Sequence, residues 1–395
     1  MSRLDELIQQ YCPDGVEYKK LGDIEDNGLI KLGRGNVISK QNMKECPGDY
    51  PVYSSSCVGD GEIGRYGKYM FDDERISWSI DGGGKFFYRN NLKYSITNVS
   101  GWLKVLAPEL VSAKYLYYSL TNEWVKKVYD YTHKAHPSVI REEYIIPVPP
   151  LPVQEEIVRI LDTLTELQAE LQAELQKRLQ QYNYYRDNLF SFEGRTDIEW
   201  KKLGEVATIQ TGRRFVRTDI RESGVPCFHY GDLYTYYGLT ATDTKGYLDA
   251  ELASKLRFAQ PNDVVVVCAG ENDMDIGVGV AWLGNEPAVV HDACCILHHD
   301  QNPRYISHFL RTHNYHLQMK KYVKNGKISS LPSSGLANAI IPIPSLEEQE
   351  RIATILDKFY ALTTDITAGL PAEIEARRKQ YEYYRDQLLT FKQKA

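Results

Sequence analysis

The side chains with the most to offer chemically are cationic, and they come in groups. Residues 201–221 carry Lys201, Lys202, Arg213, Arg214, Arg217 and Arg221 against only Glu205 and Asp219. Earlier in the chain Lys31, Arg34, Lys40 and Lys44 cluster, followed by Arg65 with Lys68 and by Lys85 with Arg89. Such groups neutralise phosphate, and arginine can also read guanine through two parallel hydrogen bonds. Taken singly, each cluster would be satisfied as a solvated face. Their recurrence in two separate stretches is what points to nucleic acid. The candidate DNA-binding residues are Arg34, Lys40, Arg65, Lys85, Arg89, Lys134, Arg213, Arg214, Arg217, Arg257 and Lys327.

Catalytic and cofactor chemistry has less to stand on. Gly59-Asp-Gly-Glu-Ile-Gly64 satisfies Gly-x-Gly-x-x-Gly, but Arg65-Tyr-Gly-Lys follows where a dinucleotide site needs an opening helix. Asp81-Gly-Gly-Gly-Lys85 lacks phosphate-loop spacing and reads as a turn between strands at Ile76–Ile80 and Phe86–Tyr88. There is no Gly-x-Ser-x-Gly, no His-Glu-x-x-His and no Asn/Asp-Pro-Pro-Tyr/Phe. The seven cysteines contain no Cys-x-x-Cys, so the adjacent Cys294 and Cys295 read as buried thiols. His308, His313 and His316 match no metal spacing and read as helix-surface residues. No metal site, bound cofactor or catalytic residue is expected.

A net charge of −6 excludes a uniformly basic binder but not basic faces on an acidic body. With 43% hydrophobic and 25% charged residues, the chain is ordinary for a globular protein. No apolar run approaches membrane-spanning length, and the first residues are too charged for a signal peptide, so a cytoplasmic protein is expected.

What positions the cationic groups is a duplicated frame. Ile145-Ile-Pro-Val-Pro-Pro-Leu-Pro-Val-Gln-Glu-Glu-Ile-Val-Arg-Ile-Leu-Asp162 matches Ile340–Asp357 without a gap, at an offset of 195. Gln181-Tyr-Asn-Tyr-Tyr-Arg-Asp-Asn-Leu189 matches Gln380–Leu388 at an offset of 199. Val16–Ile24 matches Ile198–Val206. Between these anchors residues 25–144 and 207–339 show no shared register, so one frame holds two unlike inserts. After each proline cluster, apolar residues recur every three or four positions, from Ile157 to Phe192 and from Ile352 to Phe391, which predicts two helices of about 40–45 residues. Each carries one apolar stripe, for which the other copy is the obvious partner. Gln168-Ala-Glu-Leu171 and Gln172-Ala-Glu-Leu175 form a four-residue repeat in the first, while Gly369 and Pro371 predict a kink or restart in the second.

These anchors closely resemble the specificity subunits of type I restriction-modification systems. The residues carrying the resemblance are Cys12-Pro-Asp-Gly-Val-Glu-Tyr-Lys-Lys-Leu-Gly22, both Ile-Pro-x-Pro…Gln-Glu stretches, both Tyr-x-Tyr-Tyr-Arg-Asp-x-Leu ends and the Gln-Ala-Glu-Leu units. The resemblance implies an α+β fold with a pseudo-two-fold internal repeat: two target recognition domains (16–150 and 198–345) joined by two long antiparallel helices (151–197 and 346–395). A short cap, 1–15, precedes them. It implies a non-catalytic chain that reads a bipartite site on double-stranded DNA and docks two methyltransferase subunits, whose S-adenosylmethionine it does not itself bind. Two restriction–translocation subunits are further partners the family allows. Gln154, Ile157, Leu161, Tyr185, Gln349, Ile352, Leu356 and Tyr384 are the residues expected at helix or partner-subunit interfaces. A coiled-coil scaffold with protein-binding heads is the alternative that the repeat alone leaves open.

Overall fold

The structure is a computed structural model that describes residues 2–56, 59–130, 132–270, 276–324, 326, 328–365 and 367–394. The chain divides into two compact units, and each takes material from both copies of the frame. Unit 1 holds the residues up to Glu170 together with those from Glu375 onward. Unit 2 runs from Leu171 to Ile374.

The first frame helix, Leu151–Leu189, is unbroken over 39 residues, roughly 58 Å at 1.5 Å per residue. Its prolines lie before it or in its first turn, where a missing N–H costs nothing. The second copy does restart, as Gly369 and Pro371 predict. It forms Leu346–Thr364 and Leu370–Leu388, each of 19 residues. The stop is chemical: the Asp365 carboxylate accepts from the backbone N–H of Thr367 at 2.7 Å and of Ala368 at 3.2 Å, a local bond that competes with the helix ladder. The four residues separating the two offsets are absorbed at this interruption.

In unit 1, the antiparallel sheet has the order β2 (Ile30–Arg34), β8 (Ser100–Val105), β5 (Arg75–Ser79), β6 (Phe86–Arg89). A second sheet sets β3 (Tyr50–Tyr53) antiparallel to β4 (Glu62–Tyr66) and parallel to β7 (Ser95–Ile96). A ribbon of β1 (Tyr18–Lys20) and β9 (Ile145–Pro147) ties the ends of the insert together. The expected β5–β6 hairpin is present, and the Gly59–Gly64 pattern runs into a strand, not a helix.

Unit 2 repeats this plan. Its ribbon is β10 (Glu199–Lys202) with β22 (Ile340–Ile343). Its first sheet has the order β11 (Ala207–Thr211), β20 (Cys294–His299), β16 (Val264–Val267), β18 (Gly279–Trp282), with β13 (Thr240–Ala241) added at the edge. In its second sheet β12 (Val225–Phe228) is antiparallel to β14 (Gly246–Leu248) and parallel to β19 (Ala288–Val290), with β15 (Phe258–Ala259) beyond. The short pair β17 (Ala269–Gly270) and β21 (Ser329–Ser330) is extra. The inserts therefore share a topology that their sequences hide. Strand β2 maps on β11 at an offset of 177 (Ile30 to Ala207), and β8 maps on β20 at 194 (Ser100 to Cys294). The expectation that the inserts share no register is corrected here. Their backbone ladders correspond although their side chains do not.

Each unit closes its core with the start of one frame helix and the end of the other copy. In unit 1, Ile157 and Leu161 pack with Tyr115, Tyr118, Leu389 and the helix Arg3–Tyr11. In unit 2, Ile352 and Leu356 pack with Tyr182, Phe190, Tyr305 and Phe309. The apolar stripes thus do meet the other copy, but they seal a globular core at the same time.

Candidate nucleic-acid interface and docking frame

The frame is held by two corresponding sets of buried polar contacts. Gln154 is fully buried. Its carbonyl accepts from Ser112 N–H at 2.9 Å, and its amide donates to Pro149 O at 2.7 Å and Leu110 O at 3.1 Å. Gln349, equally buried, accepts from Asn302 N–H at 3.0 Å and donates to Pro344 O at 2.9 Å and Gln301 Oε1 at 2.8 Å. Both satisfy backbone groups just ahead of a helix, Ala113–Trp124 in one unit and Pro303–Phe309 in the other. Below them Tyr115 donates to Pro147 O at 3.0 Å, and Tyr305 to Pro342 O at 2.9 Å.

Two carboxylates further along the frame helices repeat the pattern with different partners. Asp162 accepts from Lys114 Nζ at 2.7 Å and from the Tyr118 hydroxyl at 2.6 Å. Asp357 accepts from Arg304 and from His308 Nε2, the latter at 2.9 Å. His308 is fully buried, which corrects its expected place on a helix surface. Burial pushes its pKa down, outweighing the nearby carboxylate. Its ring is held at both nitrogens, Nε2 against the Asp357 carboxylate and Nδ1 3.2 Å from the Tyr182 hydroxyl. Burial alone would raise the pKa of Asp357, but His308 and Arg304 hold it below the usual value. The helix pattern concealed His308 because its partners come from residues 126 and 49 positions away.

Gln154, Ile157, Leu161, Gln349, Ile352 and Leu356 are all fully buried inside their own units, so they form helix-to-core contacts and are not open to another subunit. Tyr185 and Tyr384 differ, at 38% and 41% exposed, and their neighbours Tyr184 and Tyr383 reach 66% and 62%. Tyr185 stacks on Phe359 at 5.3 Å, leaving one side open. The ribbons present a matched pair as well: Ile145 and Ile340 are 46% and 45% exposed, opposite Lys20 and Lys202.

Most of the candidate DNA-binding side chains lie at the surface. Lys40 and Arg214 are exposed. Arg34 donates to Asn98 O, Arg65 pairs with Glu62 at 3.1 Å, and Lys134 pairs with Asp81 at 3.0 Å. Lys85 is half-buried, with Gly59 O at 3.3 Å. Arg213 donates to Lys255 O at 2.8 Å, and Arg217 pairs with Asp232 at 3.2 Å while staying largely exposed. Arg257 is half-buried and donates to Thr211 O. Lys327 lies outside the described residues.

Arg89 is the correction. It is buried, with its guanidinium 3.5 Å over the Tyr53 ring and Nε 3.3 Å from Ser77 Oγ. Burial pushes its pKa down. Its guanidinium also donates to Asp60 O, so it is committed to the interior of unit 1 and is not a surface for phosphate. Among the described residues, Cys294 and Cys295 are buried free thiols, as expected. No helix of the described residues is long and apolar enough to cross a membrane.

The pattern described as "Type I restriction modification DNA specificity domain" matches this chain twice, over residues 13–181 and 196–376. Each match takes in one insert and most of one frame copy. The chain belongs to this family. As a type I specificity subunit it is a DNA-recognition chain without catalytic activity of its own. It is 36% identical over 297 residues to the EcoR124I/EcoR124II specificity subunit of Escherichia coli, covering 73% of this chain and 69% of that one. The crystal structure of a specificity subunit from M. genitalium superposes with a TM-score of 0.52 at 16% identity, covering 95% of each chain. A chain from a study of type I complex assembly and conformational transition gives 0.56 at 16% identity, covering 96% of this chain and 98% of that one. At that identity the two likenesses speak for the fold alone.

Proposed function

We propose that this specificity subunit places two copies of an adenine methyltransferase on an asymmetric, two-part DNA site, each insert reading one half. The observation that carries the reading is that frame and sheet topology are duplicated while the exposed insert side chains are not. A constant frame suits a constant partner, and unlike surfaces suit unlike bases. The partner, and not this chain, would hold S-adenosylmethionine. Two restriction–translocation subunits would join when cleavage is needed.

The docking residues best supported are those both exposed and identical in the two copies: Tyr184 with Tyr383, Tyr185 with Tyr384, and Ile145 with Ile340. Exposed tyrosines are among the usual anchors of a protein interface. The helices would set the spacing of the half-sites. One Gln-Ala-Glu-Leu unit adds about 6 Å of helix, at most two base pairs of about 3.4 Å.

The test is co-expression with the partner methyltransferase, followed by sequencing of modified adenines in the host genome. A gapped two-part motif is expected, and one that lengthens by one or two base pairs when a Gln-Ala-Glu-Leu unit is inserted. An ungapped motif would overturn the reading.

A further inference from the structure

The register shared by the two inserts makes one loop in each unit the counterpart of the other. Strands β2 and β11 are each followed by a glycine, Gly35 and Gly212, that crosses toward the second sheet. Gly35 N–H donates to Ser100 O at 3.0 Å, and Gly212 N–H to Cys294 O at 2.9 Å. The next residues repeat the match: Asn36 N–H donates to Ile96 O at 3.2 Å, and Arg213 N–H to Val290 O at 3.0 Å. A Cβ on Gly35 would lie 2.3 Å from Thr97 O and 2.4 Å from Ile96 O. On Gly212 it would lie 2.3 Å from both His291 O and Val290 O. Glycine is required at both crossings because backbone stands where a side chain would go.

Each loop is fixed at its far end too. In unit 1 it enters the short helix Lys40–Glu45, capped by Ser39, and Met43 rests on Gly64 of β4. In unit 2 Ile220 rests on Gly246 of β14, and Arg221 exchanges backbone hydrogen bonds with Tyr247 at 2.8 and 3.1 Å. Between these points Phe215 is buried against His229 and His291, with ring centroids 6.1 and 5.1 Å away. Backbones held at both ends thus present outward side chains that differ. In unit 1 they are Asn36, Val37 and Lys40, with Val37 76% exposed. In unit 2 they are Arg214, Val216 and Arg217, with Val216 45% exposed. A backbone fixed at both ends spares the ordering cost that a free loop would incur on binding. The side chains are suited to base edges: Asn to adenine, Arg to guanine, and an apolar group to the thymine methyl.

We propose that the segment 36–41 in unit 1 and the segment 213–218 in unit 2 are equivalent base-reading loops, one for each half of the DNA site. This rests on the two-part reading above. It assigns specificity within each half to Asn36, Val37 and Lys40, and to Arg214, Val216 and Arg217.

The experiment uses the full chain in complex with its partner methyltransferase and a set of duplexes in which each base pair of the motif is replaced in turn. N36A/V37A should lose discrimination, by about five- to a hundredfold per contacted pair, in one half only. R214A should do so in the other half only. R214K keeps the charge but not the planar fork, so it should lose discrimination while retaining overall affinity. All these side chains are exposed, and unchanged thermal midpoints would show that the variants fold. If either variant keeps the wild-type discrimination profile, or both alter the same half, the loop assignment is wrong while the two-part reading stands. If the wild-type complex methylates no two-part motif, both fall together.

Discussion

The two units solve one folding problem with different interiors. In unit 2 the space between the sheets is apolar: Phe228 and Val290 from one sheet meet Val265, Val267, Trp282 and Ile296 from the other. Every residue of Val264–Val267 is buried because both faces of that strand are covered, which is why it reads as an unbroken valine run. In unit 1 the corresponding region is mixed: Arg89 lies over Tyr53 with Ser77 beside it, and Tyr53 also packs with Phe71, Tyr94 and Ile96. The same backbone ladder accepts either filling, provided volume is conserved and the buried guanidinium finds partners, here Ser77 Oγ and Asp60 O. The ladder, the crossing glycines and the frame carry the common architecture, while the interior is free to vary.

The comparison is most open to challenge at the glycines. Gly35→Ala and Gly212→Ala should each destabilise their unit by about 3 kcal/mol, because the new methyl meets carbonyl oxygens that cannot turn aside. Urea denaturation of the full chain would measure this. A cost under 1 kcal/mol in one unit but not the other would break the proposed equivalence.

The buried glutamines come next. Gln154→Leu and Gln349→Leu should each cost about 2–3 kcal/mol, since each strands buried backbone groups without partners. Similar losses in the two units are expected, and a difference above 2 kcal/mol would show that the frames are not energetically equivalent.

Acid should then separate the units. Seven of the nine histidines are in unit 2, whereas His133 and His136 of unit 1 are exposed. Burial pushes His299 down to about 4. A depressed histidine binds its proton less readily in the folded state, so its stabilisation is present above about pH 6.5 and is lost as pH falls toward 4. About 2 kcal/mol should go by pH 5. Asp263 moves the other way, its pKa raised by burial, so His299→Asn against wild type isolates the histidine. Parallel pH profiles for that variant and wild type would remove His299 from the account.

The smallest expected effect is that of Arg89→Met. Arg89→Ala should cost about 2 kcal/mol through lost packing, whereas Arg89→Met, which fills the space without a charge, should stay within about 1 kcal/mol of wild type. DNA affinity of the Met variant should not change. A drop in affinity beyond threefold at unchanged stability would return Arg89 to the DNA surface.

Sequence by itself determined the duplication, the helix after each proline cluster, the restart at Gly369 and Pro371, and the family. These rest on local signals: proline and glycine act on their own backbone, and a stripe repeating every three or four residues needs no knowledge of its partner. The exposed candidates Lys40, Arg65, Arg213, Arg214 and Arg217 were also legible, because charge favours the surface. Only tertiary structure decided the rest. Arg89 and His308 were drawn inside by partners distant in sequence, and the likeness of the inserts lives in backbone hydrogen bonds that many side chains can satisfy. Gly35 and Gly212 are ordinary glycines in the sequence. It is the carbonyls of a strand some 60 to 80 residues further on (Ile96 and Val290) that make each of them obligatory.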